Sequence, residues 1–106
     1  MAWIYLVIAG LFEVGFTTCL KYSNNFSNWK WSLGFFICIS LSFFFLNQSI
    51  QKIPIGTAYA VWTGIGAVGT AIMGIFFFSE PADLWRVFFI MMLIGSIIAL
   101  KLVTAY

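Results

Sequence analysis

The chain has 106 residues, of which 63% are apolar and only 8% charged, with a formal net charge of +2. Soluble domains carry roughly 25% charged residues, and a chain this short needs far more polar surface to stay in water. The bilayer is the solvent that fits, which leaves no soluble face for an enzyme or a nucleic-acid-binding surface.

The charges cluster at Lys21 and Lys30, at Lys52, at Glu80, Asp83 and Arg86, and at Lys101. Between them lie apolar runs at 3–20, 31–50, 55–78 and 87–100. A helix needs about 20 apolar residues to cross a hydrocarbon core about 30 Å thick. The first and last runs are a little short, so their polar flanks must reach the headgroups. The pattern predicts an all-α integral membrane protein, with transmembrane helices at about 3–20, 31–50, 55–78 and 85–104 forming one domain over 1–106.

The first run lacks a basic n-region and an Ala-x-Ala cleavage site and contains Glu13, so it reads as a retained helix rather than a signal peptide. Glu13 sits midway along it and is the only ionisable acid or base deep in any apolar run. A charge at that depth costs several kcal/mol, and such residues mark ion or proton pathways. No Lys or Arg within the helix neutralises it, so it holds a proton or trades it for another cation. The plainer alternative is a protonated, hydrogen-bonded structural Glu. Ala9, Gly10, Phe16 and Thr17 lie one turn away on the same face. The small ones leave room for a pocket beside the carboxylate, and equally suit helix packing. Cys19 and Cys38 fall in different helices, outside any CxxC pair, and the chain has no His. That pattern gives no metal or haem site and makes both cysteines packing residues.

The first loop, 21–30, is rich in Asn and Ser. In the second run Ser40 and Ser42 lie mid-span, where either could bond a carbonyl one turn back. Pro54 is placed to open the third helix. There Tyr59 and Trp62 share a face well inside the span. Aromatic faces near a carboxylate attract organic cations through the ring quadrupole, and a Tyr hydroxyl can bond the carboxylate or the ligand. Packing is the ordinary role of such rings.

Gly64, Gly66 and Gly69 match GxGxxG, but inside an apolar helix with no βαβ unit around it, so no dinucleotide cofactor is implied. Gly64 and Gly66 weaken the helix locally and let it bend. Gly66, Thr70 and Gly74, spaced by four, offer a close helix contact face. Trp3, Trp29, Trp31 and Trp85 sit near helix ends, as an aromatic belt requires.

Short loops make neighbouring helices antiparallel and put both termini on one side. That side carries Lys52 and Lys101, and the other Lys21, Lys30 and Arg86. The positive-inside rule has almost nothing to act on, so chains are expected to insert both ways. Four helices are too few to enclose a gated pathway, and transporters typically pair inverted repeats around a midplane site. An antiparallel homodimer would supply that repeat from two copies.

The sequence resembles the small multidrug resistance family over its entire length. The resemblance is carried by Phe12-Glu13-Val14, Leu20-Lys21-Tyr22-Ser23, the run from Pro54 to Gly66 and the acidic turn Glu80-Pro81. The run from Gly56 to Ala67, and Lys101 near the end of the fourth helix, are similar to the guanidinium-exporter subtype. What the resemblance implies is a multi-pass protein of the bacterial inner membrane. It acts as an antiparallel homodimer in which both copies of Glu13 bind protons or a small guanidinium-like cation, with Tyr59, Trp62 and Ser42 around the carboxylate. Some family members pair two related chains instead. One position departs from the subtype: Phe16 stands where guanidinium exporters commonly have Trp, removing an indole N–H that would orient the carboxylate. Thr17-Thr18 is more similar to the broad quaternary-ammonium subtype. Two alternatives to a proton-coupled guanidinium exporter follow. One is a broad exporter of lipophilic cations; the other is a non-transporting packing subunit, which leaves Glu13 unexplained.

Overall fold

A computed structural model describes residues 1–104. The chain folds as α1 (Ala2–Tyr22), α2 (Trp29–Ser49), α3 (Ile55–Phe77) and α4 (Leu84–Val103). All four are long and apolar enough to cross a membrane. At 1.5 Å per residue, 20–23 residues match a hydrocarbon core about 30 Å thick.

Local chemistry sets the ends. Asn28 accepts a hydrogen bond from the Lys30 amide at 3.2 Å, so α2 begins at Trp29, two residues earlier than hydropathy places it. Asp83 caps α4 by accepting from the Arg86 amide at 2.8 Å. The first loop turns through Asn24, Asn25 and Phe26, all with positive φ (51°, 61° and 64°). Asn tolerates that conformation well, and Phe26 is held there by Phe35 and Phe36, with centroids at 5.5 and 6.1 Å.

The helices stand side by side in the order α2, α1, α3, α4, giving a slab of 44 × 35 × 17 Å. Helix α1 packs on α2 and α3, whereas α4 packs mainly on α3, reaches α1 through Lys101 at Trp3, and buries no residue. Small residues bring the backbones together. Cys19 Sγ lies 3.1 Å from where a Cβ on Gly34 would stand, and Cys38 Sγ 3.3 Å from the same point on Gly15. The two thiols therefore fill each other's helix across an antiparallel α1–α2 seam. Helices α1 and α3 run parallel, with Ile65 over Gly10, the Glu13 carboxyl over Gly66 and Val14 over Gly69. Leu6, Ala9, Ile53, Ala58, Val61 and Trp62 form the buried core.

Aromatic and basic groups tie the helix ends together at both faces. Tyr22 joins Trp31 and Phe78, at 4.8 and 5.4 Å, and Lys21 lies over Phe78 at 5.8 Å. At the opposite face Lys101 lies over the Trp3 ring at 5.1 Å. Elsewhere large apolar side chains such as Phe43, Phe88 and Met91 point outward, as a lipid solvent permits.

The glycine contacts make a testable contrast. A Cβ on Gly10 would sit 2.5 Å from Ile65 Cγ2, so Gly10→Ala forces α1 from α3 and costs about 1–3 kcal/mol. Nothing lies within 4 Å of the same point on Gly56, so Gly56→Ala is neutral or stabilising by up to about 1 kcal/mol. Thermal unfolding in detergent should separate the two; equal midpoints would refute the seam as a stability determinant.

Candidate functional site

Glu13 lies in the middle of α1, on the side facing α3. Its carboxyl group rests on the Cα of Gly66, in space that any side chain at position 66 would fill. Oε1 is buried and has no hydrogen-bond partner among the described residues. A buried polar atom in that state is rare in folded proteins and requires an explanation.

On the side of Glu13 toward the start of α1, three groups form a chain. Trp62 Nε1 donates to Ser42 Oγ at 2.9 Å, and Ser42 donates to the Ala9 carbonyl at 2.7 Å. Ala9 is four residues before Glu13, so its carbonyl is also the helical acceptor for the Glu13 amide. The polar groups of α2 and α3 thus reach the backbone of Glu13. Ser42 and Trp62 are both buried. The two serines of α2 part company here: Ser40 bonds its own Phe36 carbonyl at 2.8 Å, while Ser42 crosses to α1.

The other residues singled out from the sequence take separate places. Tyr59 packs against Trp62, with centroids 5.6 Å apart at 49°, and is 59% exposed. Ala9 and Gly10 are buried and serve the helix seams. Phe16 turns toward α2 and meets Phe35 edge-on at 5.8 Å. Thr17 bonds Thr70 on α3 at 2.8 Å. Gly64 is approached by Ile97 of α4, at 3.0 Å from a would-be Cβ, while Gly66 receives Glu13. Lys101 sits away from Glu13, over Trp3. Two apolar clefts of about 290 Å³ lie beside α4, lined by residues such as Leu11, Ile65 and Ile97 or Ile72, Ile90 and Met91. Glu13 lines neither. Sequence reasoning placed Thr70 only on a packing face; its pairing with Thr17 needed the parallel α1–α3 register, which no single-helix pattern encodes.

The family described as "Small Multidrug Resistance protein" matches residues 1–94. The chain belongs to the small multidrug resistance family. A "Guanidinium exporter" of Yersinia pseudotuberculosis serotype I is 50% identical over 102 residues, covering 96% of this chain and 98% of that protein. The "Guanidinium exporter" of Escherichia coli K12 is 45% identical over 104 residues, covering 98% and 99%. A Bacillus licheniformis protein named "Probable guanidinium efflux system subunit GdnD" is 42% identical over 104 residues, covering 98% and 100%. These relatives are named for transport rather than for an enzymatic reaction. Four apolar helices together with this membership make the small multidrug resistance protein described here a multi-pass protein of the bacterial inner membrane.

Ser42→Ala leaves the Trp62 indole N–H buried without an acceptor, at a cost of about 1–3 kcal/mol. Ser40→Ala removes only an exposed bond within one helix and shifts stability by less than about 0.5 kcal/mol. Unfolding midpoints in detergent check the difference, and a Ser40 variant as damaged as the Ser42 one contradicts it.

Proposed function

We propose that this protein exports guanidinium and small guanidinyl cations in exchange for protons, with proton and substrate competing for Glu13. The observation that carries the reading is the buried, unpartnered Oε1 of the one ionisable group at membrane depth. The names of the relatives supply the substrate class. Guanidinium is planar and rich in N–H donors, which suits a carboxylate. A structural, permanently protonated Glu would be expected to be hydrogen-bonded, and Oε1 of Glu13 has no partner among the described residues.

The working unit in this reading is an antiparallel homodimer, whose two chains provide the inverted repeat that a single chain lacks. Near-equal basic charge on the two sides supports insertion in both orientations. A heterodimer with a related chain is the competing assembly; the Bacillus relative is itself named a subunit. Substrate displaces protons from the Glu13 pair, the dimer rocks to expose the site on the opposite side, and protons reload it. The drive comes from the different affinity of protonated and free Glu13 for the cation. Tyr59, Trp62 and Ser42 are assigned to the carboxylate's surroundings, Ala9, Gly10, Phe16 and Thr17 to the pocket wall, and Gly64 and Gly66 to flexure of α3. A second reading, export of lipophilic quaternary cations, is favoured by Phe16, whose ring offers no donor and joins an aromatic cluster.

Two experiments test this. Solid-supported-membrane currents from liposome-reconstituted protein should appear with guanidinium. They should vanish in Glu13→Gln, which keeps the side chain's shape and costs no more than about 1–2 kcal/mol to bury. Because one carboxylate cannot hold a proton and a cation at once, guanidinium affinity should rise with pH until the site is deprotonated. A titration over about pH 5 to pH 9 spans the carboxyl range. A flat profile, or proton-driven transport by the Gln variant, would end the proposal, and currents with tetraphenylphosphonium alone would favour the second reading.

For orientation, Ser27→Cys in a chain with Cys19 and Cys38 replaced by Ala should react with impermeant maleimide in about half of the molecules in intact cells. Labelling of all or none would exclude the dual-orientation homodimer.

A further inference from the structure

A hydroxyl pair joins α1 and α3. Thr17 Oγ1 lies 3.0 Å from the Glu13 carbonyl, 2.9 Å from the Val14 carbonyl and 2.8 Å from Thr70 Oγ1. A hydroxyl has one proton to donate and two lone pairs to accept with. Either threonine can donate to the other; the two carbonyls beside Thr17 favour the arrangement in which its proton stays on its own helix. In that arrangement the bond between the threonines is donated by Thr70. That fixes the Thr70 rotor and leaves its lone pairs facing away from Thr17.

Thr70 stands one helical turn beyond Gly66, where the Glu13 carboxyl rests. A turn is about 5.4 Å. The α1–α3 seam therefore offers two acceptors at about that spacing: the unpartnered Oε1 of Glu13 and the oriented lone pairs of Thr70. Thr70 is half-buried, and its hydroxyl makes no other hydrogen bond among the described residues.

We infer that Thr70 is a second anchor for the transported cation, one that selects cations bearing N–H groups over quaternary ones. The inference rests on Glu13 being the substrate site. A guanidinium group has donors on every edge and no acceptor. With one edge on the Glu13 carboxylate, an adjacent edge is directed along the seam to Thr70. A quaternary ammonium has no N–H and gains nothing there. Where guanidinium exporters commonly have Trp, whose indole N–H would orient the carboxylate as a donor, this chain has Phe16, turned toward Phe35. Thr70 works differently from that donor: it accepts from the substrate rather than orienting the acid.

The test compares dissociation constants for guanidinium and tetramethylammonium on the purified full-length protein. Thr70→Val keeps the shape and removes the hydroxyl, while Thr17 keeps its carbonyl acceptors. Guanidinium binding should weaken on the order of tenfold, as for a lost hydrogen bond to a charged group, while tetramethylammonium binding changes by less than about twofold. Thr70→Ser should restore guanidinium binding, and Thr70→Ala should repeat the selective loss if the valine is poorly tolerated. Equal weakening for both cations would make Thr70 a purely structural latch and overturn the inference, as would no change for either. Glu13→Gln, run alongside, should abolish binding of both cations. Persistence of binding in that variant would bring down the shared-site reading, whereas unselective Thr70 variants with Glu13 dependence intact would bring down this one alone.

Discussion

A carboxyl group at bilayer depth must be kept from lipid tails, and in this chain the backbone of Gly66 provides the place. A side chain at position 66 would occupy the volume that the Glu13 carboxyl now fills. The rest of the α1–α3 seam is arranged to permit that approach. Gly10 admits Ile65, Gly69 admits Val14, and the two helices run parallel so that these contacts come in series. Closeness between backbones is the usual route to membrane helix association, since apolar surface alone gives little preference for protein over lipid. Here the same closeness also sets the environment of the one ionisable group in the span.

Around that carboxyl the polar groups are distributed unevenly. Toward the start of α1, Trp62 and Ser42 satisfy each other and end on the Ala9 carbonyl, so they stiffen the backbone that carries Glu13. Toward its end, Thr17 and Thr70 bridge the helices. Between the two lies an oxygen with no partner among the described residues. Fully satisfied buried networks rigidify their surroundings, and an unsatisfied group among them is the point most responsive to a new ligand. Tyr59 differs from all of these in being largely exposed, its ring tilted against Trp62. It is free to meet a group from outside the chain.

Much of the architecture was legible because a bilayer makes hydropathy decisive. The four apolar runs became four helices, and the charge clusters became loops or ends. The boundary at Trp29 was misplaced because capping by Asn28 outweighs the apolar count. Glu13 stood out as an acid within an apolar run, and it lies in the middle of α1. The family followed from motif residues that survive in one chain. The partners of individual side chains were not legible. Ser40 and Ser42 are two residues apart and chemically identical, yet only Ser42 faces α1, because α1–α2 register decides it. Phe16 turns to Phe35 and Thr17 to Thr70 for the same reason: helical periodicity gives a face, but not which neighbour that face meets. The reciprocal seating of Cys19 and Cys38 over glycines likewise appears only once two helices are brought together.

The α1–α3 seam also behaves mechanically as a key. Ile65 projects from α3 into α1 at Gly10, and Glu13 and Val14 project from α1 into α3 at Gly66 and Gly69. Teeth pointing both ways block axial sliding in either direction, because any shift drives a side chain against a residue that carries a Cβ. Helix α4 offers one such contact, Ile97 at Gly64 of α3, lies beside apolar clefts and buries none of its residues. The chain is thus divided into a rigid pair that carries the carboxylate and a loosely seated outer helix. The α3–α4 boundary is less closely interlocked than the α1–α3 seam, so deformation is cheaper there.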